Sequence, residues 1–453
     1  MDNEKELISN YNYHIQQTAS SERYLNPDDI SVPPRYRIEV FSNGLDTPIN
    51  LVFTENGDML IAESGFSSGN PSVLRMSNGR FEIVADGFNV PITGINYRNG
   101  DIYVSHKGVI SVIKSDGTRH DIISGLPSYG DFSNNQVTFS QDNKIYFGQG
   151  TATNSGVVGL DNEWIYEHPY FHDYPGSYIM LNELNFKTKN VMIPATDYAY
   201  TGAFSEFGIP NLQRFGVLKG RIEASGSIMR ANLDGSELEL VAWGLRNPVQ
   251  MKFDRFNRLF ISNQGYDNRG SRPIANAPDE FYMLIPGAWY GWPDYTAGEP
   301  VTLPRYTPEG GPTPELLLAN LPSVTPMPFT VFPPGSNVMG FDFNNNRNFG
   351  AIGDVYIAKF GSIPYQTSGE RIRSGAGHRI TKIDMNTGEI STFAINKTGF
   401  PATTPQEGGF GRPTDVAFGP DGAMYITDFS TASEKNPMGY LPNTGAIWKI
   451  VKI

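Results

Sequence analysis

The chain has six histidines and no cysteine, so few of its side chains titrate near neutral pH or could bind a transition metal through nitrogen or sulfur. His168 and His172 are four positions apart, a spacing that two metal ligands on one helix face could use. The Pro-Tyr-Phe sequence between them suits a structural loop equally well. The pair is therefore either a metal site or part of a loop.

Arg246 lies in the segment Trp243-Gly-Leu-Arg-Asn-Pro248. Its planar guanidinium is a fork of donors that can hold a carboxylate through two hydrogen bonds, or it could simply cap a strand end. The aromatic run Trp289, Tyr290 and Trp292 is a second candidate binding surface. These rings could stack on the apolar C–H faces of a sugar or belong to the core.

Several function classes are excluded by what the sequence lacks. It has no nucleophile elbow, P-loop, Rossmann glycine run after a strand or His-Glu-x-x-His. A net charge of −12 without any basic run argues against nucleic acid. The longest uncharged stretch, Leu316 to Phe341, has too many prolines for a transmembrane helix.

Two features bear on location. Met1 to Tyr13 lack the charged and apolar regions of a signal peptide. The absence of cysteine is common among extracytoplasmic bacterial proteins, and it also excludes disulfides. We expect an extracytoplasmic or secreted bacterial protein.

Strands must position these residues, because 48 glycines, 33 prolines and 12 % aromatic residues among 453 residues favour short strands joined by turns. A hairpin with an acidic or glycine-containing turn and a second strand of aromatic and apolar residues recurs along the chain. Its copies start near Pro48, Pro91, Asn135, Pro248, Val338 and Pro413. Six such hairpins predict an all-β fold, a six-bladed β-propeller with four-stranded blades.

The two ends of the predicted propeller should pair. After its hairpin the sixth blade has one further strand, Gly445 to Ile453, and its outer strand would be Tyr36 to Phe41. This pairing covers an otherwise open sheet edge. We therefore predict an N-terminal arm at residues 1–30 and a propeller at residues 31–453. Long insertions at about 150–225 and 266–336 are of the kind that carries function or restricts access to it.

Several segments together resemble one known family. They are Trp243–Pro248, Asn263–Tyr266, Pro278–Glu280, Pro286–Pro293, Gly130–Gly156 and Arg412–Val416. They are similar to the glucose/sorbosone dehydrogenase family, soluble six-bladed propellers that oxidise sugars with pyrroloquinoline quinone and calcium. The resemblance covers about residues 30–453.

The resemblance implies the residues that would contact the quinone. Arg246, Asn247 and Arg412 match family residues that do so. The quinone carries three carboxylates, so its site must supply cations and amides. Two further cations of the family are missing, because Thr414 stands in place of an arginine and Phe360 in place of a lysine.

The resemblance also implies a calcium site. Backbone carbonyls of the segment Gln264, Gly265 and Tyr266 would bind the ion, with the quinone completing its shell. Calcium prefers several oxygen ligands, and glycine permits unusual backbone directions. Tyr266 replaces a proline that is frequent in the family, so an ordinary turn is the alternative. A second, structural calcium near Asp279 and Glu280 is a further alternative to simple solvation.

The family's catalytic base is missing. A histidine there accepts the proton of the sugar hydroxyl while hydride moves to the quinone. This chain reads Asp131-Phe132-Ser133 at that position, and neither Phe132 nor Ser133 can replace an imidazole. The candidate substitutes are His106, the nearest histidine in sequence, and Asp131, if burial raises its pKa.

Two function classes follow. The first is a quinone-dependent sugar dehydrogenase that oxidises an aldose to its lactone and passes the electrons to an external acceptor. The second is a propeller that binds a carbohydrate or another small molecule without catalysis. A propeller lactonase is a third option, which would need inward-facing acidic metal ligands.

Overall fold

Strands make up almost all of the regular structure. The computed structural model describes residues 23–77, 79–193, 195–213, 215–362, 376–404, 407–433 and 440–453. Helical structure in these ranges consists of short 3-10 turns at Pro27–Asp29, Glu163–Tyr166 and Pro304–Tyr306. Within the same ranges no helix has the length and apolar character needed to cross a bilayer.

The first three blades are four-stranded antiparallel sheets that follow one another along the chain. In order from the inner to the outer strand, they are blade 1 with Pro48–Phe53, Met59–Glu63, Ser72–Ser77 and Arg80–Asp86; blade 2 with Ile92–Arg98, Asp101–His106, Val109–Ile113 and Arg119–Ser124; and blade 3 with Thr138–Phe139, Lys144–Gln149, Ser227–Asn232 and Glu239–Trp243.

The remaining three blades complete the predicted six, so the six-bladed propeller is confirmed. Blade 5 has an additional edge strand, Ile30–Ser31, beside its outer strand. In the same order, they are blade 4 with Asn247–Phe253, Leu259–Gln264, Asp279–Met283 and Thr330–Phe332; blade 5 with Val338–Phe343, Val355–Lys359, Arg379–Ile383 and Ile390–Asn396; and blade 6 with Pro413–Phe418, Met424–Asp428, Gly445–Lys452 and Tyr36–Leu45.

The ring closes between the two ends of the chain, as the sequence predicts. The strand Tyr36–Leu45 is the outer strand of blade 6 and pairs antiparallel with Gly445–Lys452, with Tyr36 opposite Lys452. The adjacent Arg23 is buried and its guanidinium forms an ion pair with Asp428 at 2.6 Å. Most of the predicted arm, residues 1–22, lies outside the described residues.

Local turn chemistry explains why the hairpins form. In blade 2 the inner strand ends at Arg98 and the next begins at Asp101, joined by Asn99 and Gly100. Both joining residues have positive φ, 51° and 91°. Asparagine and glycine tolerate this conformation, whose twist matches that of the two strands.

The two insertions fold together into a satellite core. The first follows Gln149, and the second is interrupted by the third and outer strands of blade 4. Short hairpins within them pair Ile179–Leu181 with Gly216–Leu218, Asn185–Lys189 with Tyr198–Gly202, and Tyr295–Thr296 with Glu299–Pro300. One further parallel pair joins Thr403–Thr404 to Ala432–Ser433.

The aromatic run considered for sugar stacking belongs to the core. Trp289, Tyr290 and Trp292 are 1 %, 2 % and 2 % exposed. The Trp289 indole donates to the Trp292 carbonyl at 2.9 Å, and the Trp292 indole donates to the Asn154 carbonyl at 3.1 Å. These rings cannot stack on a sugar, because other side chains already cover them.

Candidate functional site

A cavity of about 200 Å³ lies where the inner strands of the six blades meet. Among the described residues, no charged side chain lines it. Its polar lining consists of carboxamides and hydroxyls, from Asn50, Asn135, Gln136, Asn247, Gln250, Gln264, Ser64, Thr93 and Thr414. Its apolar lining comes from Ile49, Phe66, Pro91, Ile92, Val249, Met339 and Phe429.

Four polar side chains, the axial cluster, are hydrogen-bonded to one another across the propeller axis. Gln250 Nε2 donates to Gln136 Oε1 at 2.7 Å and to Asp415 Oδ1 at 3.0 Å. Asn50 Nδ2 donates to Asp415 Oδ2 at 2.9 Å. Burial raises the pKa of Asp415, although Lys252 opposes this effect. The cluster ties blades 1, 3, 4 and 6 together, and three of its members, Asn50, Gln136 and Gln250, line the cavity.

Blades 2 and 5 make room for the axial cluster with glycines. A Cβ added at Gly94 would lie 2.6 Å from the Gln136 Cβ, and one at Gly340 would lie 2.0 Å from an Asp415 carboxylate oxygen. Real Cβ atoms do not approach neighbours this closely. Any larger residue at either position would therefore displace the cluster.

Three carboxamides form a chain along the wall that blades 3 and 4 provide. Asn135 Nδ2 donates to Asn247 Oδ1 at 3.0 Å, and Asn247 Nδ2 donates to Gln264 Oε1 at 2.9 Å. Gln264 Nε2 donates onward to the Val338 carbonyl at 3.1 Å. The described residues supply no donor to Asn135 Oδ1, which leaves this oxygen as an acceptor for a ligand hydroxyl.

Aromatic rings provide the wall that belongs to blades 1 and 6. The Phe66 and Phe429 rings both line the cavity, and their centroids are 6.2 Å apart. Tyr440 packs edge-on against Phe429 at 5.3 Å, and Phe360 lies 5.8 Å from the same ring. The cavity therefore has a polar wall facing an aromatic wall.

Arg246, which the sequence assigns to the cofactor, uses its donors within the protein. The side chain is 3 % exposed, and Nη2 forms an ion pair with Asp267 at 2.6 Å. Nη1 donates to the Gly265 carbonyl at 2.6 Å, and Nε donates to the Asn154 carbonyl at 3.3 Å. The guanidinium also lies 4.6 Å from the centroid of the Phe132 ring. Its neighbour Asn247 lines the cavity, whereas Arg246 does not.

Asp131, a candidate base, belongs to a charged cluster on the same side. Arg269 lies among three carboxylates, 2.5 Å from Asp131, 2.6 Å from Asp161 and 3.3 Å from Asp267. The Trp164 indole also donates to Asp131 at 3.0 Å. Both carboxylate oxygens of Asp131 therefore already accept hydrogen bonds within the protein. Its catalytic role stays a prediction.

The predicted calcium segment is close to a positive charge. The Gly265 carbonyl accepts a hydrogen bond from Arg246, and Gln264 is engaged in the carboxamide chain. Tyr266 points into the satellite core, where its hydroxyl donates to the Tyr295 carbonyl at 3.0 Å. A cation at the Gly265 carbonyl would be repelled by the guanidinium that now occupies it.

Asp279 and Glu280, considered for a second calcium, are buried and not solvated. Asp279 accepts hydrogen bonds from the backbone amides of Gly265 at 2.8 Å and Val338 at 2.9 Å. Glu280 accepts from the Asn263 amide at 2.6 Å. Burial raises the pKa of Asp279 to about 6 and that of Glu280 to about 7. Both carboxylates act as internal hydrogen-bond acceptors between strands.

His106, the other candidate base, lies in blade 2 and does not line the cavity. Its Nδ1 accepts from the Asn89 amide at 3.1 Å, and its Nε2 lies 2.9 Å from the Ser111 hydroxyl. Burial lowers the pKa of His106 to about 4. An imidazole of this pKa has little tendency to accept a proton at neutral pH. The role of His106 as the base stays a prediction.

Arg412 lies between blades 5 and 6. It is 6 % exposed, and its Nη1 donates to the carbonyls of Phe360, Gly361 and Ser362 at 3.1 to 3.3 Å. Burial lowers the pKa of Arg412. Within the described ranges no carboxylate forms an ion pair with it, in contrast to Arg246.

A second buried cation lies on the second strand of blade 5, on the side that faces blade 4. Lys359 is 4 % exposed, and its ammonium lies 4.6 Å from the centroid of the Phe332 ring. Burial and the charge of Arg379 together lower the pKa of Lys359 to about 8, although the charge of Asp279 opposes them. This lysine adjoins Phe360, the residue that stands in place of the family's lysine, and it does not line the cavity.

The described residues around the cavity do not fit the quinone and its calcium ion. A cofactor with three carboxylates needs charged donors around it, yet the described cavity lining is neutral. The charge of Arg246 is neutralised by Asp267, and the Gly265 carbonyl already accepts a hydrogen bond from Arg246.

Comparisons with known proteins rest on structure, because no family model and no curated protein matches the chain. The holo PQQ domain of pyranose dehydrogenase from Coprinopsis cinerea is 16 % identical, with a TM-score of 0.58, covering 95 % of this chain and 98 % of that one. The calcium structure of a family AA12 carbohydrate-active enzyme from Trichoderma reesei is 15 % identical, with a TM-score of 0.55 and coverage of 96 % and 100 %.

A bacterial structure is similar to the chain over a comparable length. The PQQ-bound aldose sugar dehydrogenase from Streptomyces coelicolor is 16 % identical, with a TM-score of 0.50, covering 93 % of this chain and all of that one. The chain shares their fold. The fold inferred from the sequence resemblance is thereby confirmed, while identities this low leave activity, substrate and cofactor to be argued from the site.

Sequence reasoning missed the aromatic wall and the axial cluster. Phe66 and Phe429 both follow the second strand of a blade, but Phe66 comes three residues after Glu63 and Phe429 comes one residue after Asp428, so the repeat does not align them. Asn50 and Gln250 occupy corresponding places on inner strands, at the register shift that follows Pro48 and Pro248. An alignment of the hairpin copies with one another would have pointed to the axial cluster.

Proposed function

We propose that the central cavity binds a small neutral carbohydrate. The observation that supports this most is the lining, which combines carboxamides and hydroxyls with the rings of Phe66 and Phe429 and contains no described charged side chain. Carboxamides both donate to and accept from hydroxyl groups, and aromatic faces pack on apolar C–H surfaces. The structural neighbours are sugar-oxidising enzymes by name, which supports the same ligand class.

Within this proposal the two walls have separate tasks. The chain of Asn135, Asn247 and Gln264 orients the hydroxyl groups, with Asn135 Oδ1 as the available acceptor. Phe66 and Phe429 cover one face of the ring and exclude water from it. The lower part of the cavity is closed by the axial cluster, so a short ligand is favoured over a polymer threaded through the channel.

The test is calorimetric titration with neutral monosaccharides and disaccharides, and with uronic acids as charged analogues. We expect a neutral sugar to bind, and Phe66→Ala to weaken its binding about fivefold through lost stacking of roughly 1 kcal/mol. Phe256→Ala is the matched control, since Phe256 is exposed and does not line the cavity. No binding by any sugar, or equal binding by both variants, would contradict the proposal.

Quinone-dependent oxidation of a sugar, with an external electron acceptor, is the second candidate. It is favoured by the fold shared with PQQ-bound structures. Titration with quinone and calcium separates the two candidates. Saturable binding of the quinone, followed by sugar-dependent reduction of a dye, would replace the neutral-carbohydrate proposal. The extracytoplasmic location stays a prediction, to be tested by cell fractionation.

A further inference from the structure

Asp46 is a buried carboxylate without a well-formed hydrogen bond. It lies between the outer strand of blade 6 and the inner strand of blade 1 and is 7 % exposed. Both of its carboxylate oxygens are inaccessible to solvent, and among the described residues neither accepts a hydrogen bond of good geometry, although Ser68 lies close to them. An ionised carboxylate in such a place is strongly destabilised unless a cation or a proton neutralises it.

A second carboxylate lies beside it. The backbone amide of Asp46 donates to Glu63 Oε1 at 2.8 Å, and the Ser72 hydroxyl donates to Oε2 at 2.7 Å. Burial raises the pKa of Glu63, and the charge of Asp46 raises it further. Burial also raises the pKa of Asp46, while Ser68 opposes this effect. In the described part of the chain, no Lys, Arg or His forms an ion pair with either residue.

We propose that Asp46 and Glu63 bind a hard divalent cation, for which Ca²⁺ is the best fit. The available groups are all oxygens: two carboxylates and the hydroxyl of Ser68, which lies close to Asp46. Oxygen donors select Ca²⁺ or Mg²⁺ over softer metals, and Ca²⁺ accepts the less regular geometry of a loop. No described site groups three His, Cys, Asp or Glu residues, so backbone carbonyls and water complete the shell.

The cation would hold a tight loop against blade 1. Residues 64–71 connect the second and third strands of this blade, and a Cβ at Gly65 would lie 2.4 Å from the Pro71 nitrogen. Phe66 lies in this loop and reaches the cavity. A cation bound by the residues at its base would therefore fix the position of one cavity wall.

The first experiment uses the full chain after treatment with a chelator. Calorimetric titration with Ca²⁺, and separately with Mg²⁺, should show one equivalent of Ca²⁺ that the protein loses in Asp46→Asn. Glu63→Gln should bind Ca²⁺ at least tenfold more weakly. Asp116→Asn, at an exposed turn, is the matched control and should bind like the wild type. A Ca²⁺ stoichiometry that is the same in the wild type and Asp46→Asn would overturn the proposal, as would no binding.

Thermal unfolding should distinguish the wild type from Asp46→Asn both with and without Ca²⁺. Ca²⁺ should raise the Tm of the wild type by a few degrees and leave that of Asp46→Asn unchanged. Without Ca²⁺, Asp46→Asn should be at least as stable as the wild type at pH 7, because it removes an uncompensated buried charge. Lower stability of this variant without Ca²⁺ would show that Asp46 has another partner and would overturn the proposal.

Hydrogen exchange locates the ion without any variant. Addition of Ca²⁺ to the chelator-treated wild type should slow amide exchange in residues 45–72. Protection confined to residues 263–267 would place the ion at the Gly265 carbonyl instead and overturn the assignment.

Discussion

The blade 3–4 side of the cavity and the blade 5–6 side both contain buried arginines, but only the arginines on the blade 3–4 side form ion pairs with carboxylates of the described residues. On the first side Arg246 and Arg269 are paired with Asp131, Asp161 and Asp267. On the second side Arg412 has no ion pair with a carboxylate in the described ranges. The arginine with the stronger sequence match is thus the one whose charge the fold itself neutralises.

The difference shows why residue type does not determine a role. A guanidinium that already donates to a carboxylate and two carbonyls of the protein has a structural role, even if the matching residue in a related protein binds a ligand. A buried cation without a counter-ion raises the free energy of the folded state, and an external anion could lower it again. Stability measurements can therefore distinguish the two sides before any ligand is known.

The largest expected effect is at Arg246. Arg246→Ala leaves Asp267 and the Gly265 carbonyl without their main partner, so we expect a loss of about 3 kcal/mol in the free energy of unfolding. Urea unfolding measures it. Arg246→Lys should recover only part of this loss, because an ammonium cannot form the same set of planar contacts.

Arg412→Ala is the matched variant for this comparison. It removes three long hydrogen bonds to carbonyls and also an uncompensated charge, so we expect a loss of no more than about 1 kcal/mol. Equal losses at the two arginines would show that the ion pairs on the blade 3–4 side contribute nothing.

The next effect is the change in the free energy of unfolding at alkaline pH that the deprotonation of Lys359 causes. Its pKa is about 8 in the folded protein and 10.5 in the reference state, so only the folded state releases the proton between these values. Stability then rises with pH, by roughly 1 kcal/mol per unit in this window. Lys359→Met should remove this rise, leaving a variant that is more stable than the wild type at pH 7 and approaches it near pH 10.

The smallest effect is the change in the free energy of unfolding at acidic pH that the protonation of Asp267 causes. Arg246 and Arg269 outweigh burial and hold the pKa of Asp267 below its reference value of 3.8. Its stabilisation is therefore complete above about pH 4 and is lost as the pH falls through the folded value. Between pH 5 and pH 3 the wild type should lose about 1 kcal/mol more than Asp267→Asn does. A parallel decline in the two proteins would show that Asp267 keeps its usual pKa.

The fold was predictable because its signals are local. Each hairpin has its own alternation of apolar and polar residues and its own turn residues, such as Asn99 and Gly100. Because the hairpin recurs six times, the number of blades can be counted in the sequence. Ring closure was also predictable, since blade 6 lacks one strand in sequence. By contrast, the ion pairs of Arg246 and Arg269 join loops whose path no periodicity indicates.

The site was less predictable than the fold for a further reason. The resemblance brought forward Arg246, Asn247 and Gln264, of which Asn247 and Gln264 line the cavity and Arg246 does not. Phe66 and Phe429 come from opposite ends of the sequence and meet only because the ring closes. Their roles follow from topology, which a reading along the chain does not provide.

Ring closure also has a consequence for the time at which the protein can fold. Tyr36 pairs with Lys452, so the outer strand of blade 6 has no partner until nearly the whole chain has been synthesised. At about 5–20 residues per second, this strand waits roughly 20–80 s on the ribosome. Contacts so distant in sequence also form slowly once the chain is complete. During this interval the nascent chain exposes a strand edge, which a chaperone or a neighbouring chain could bind before blade 6 closes.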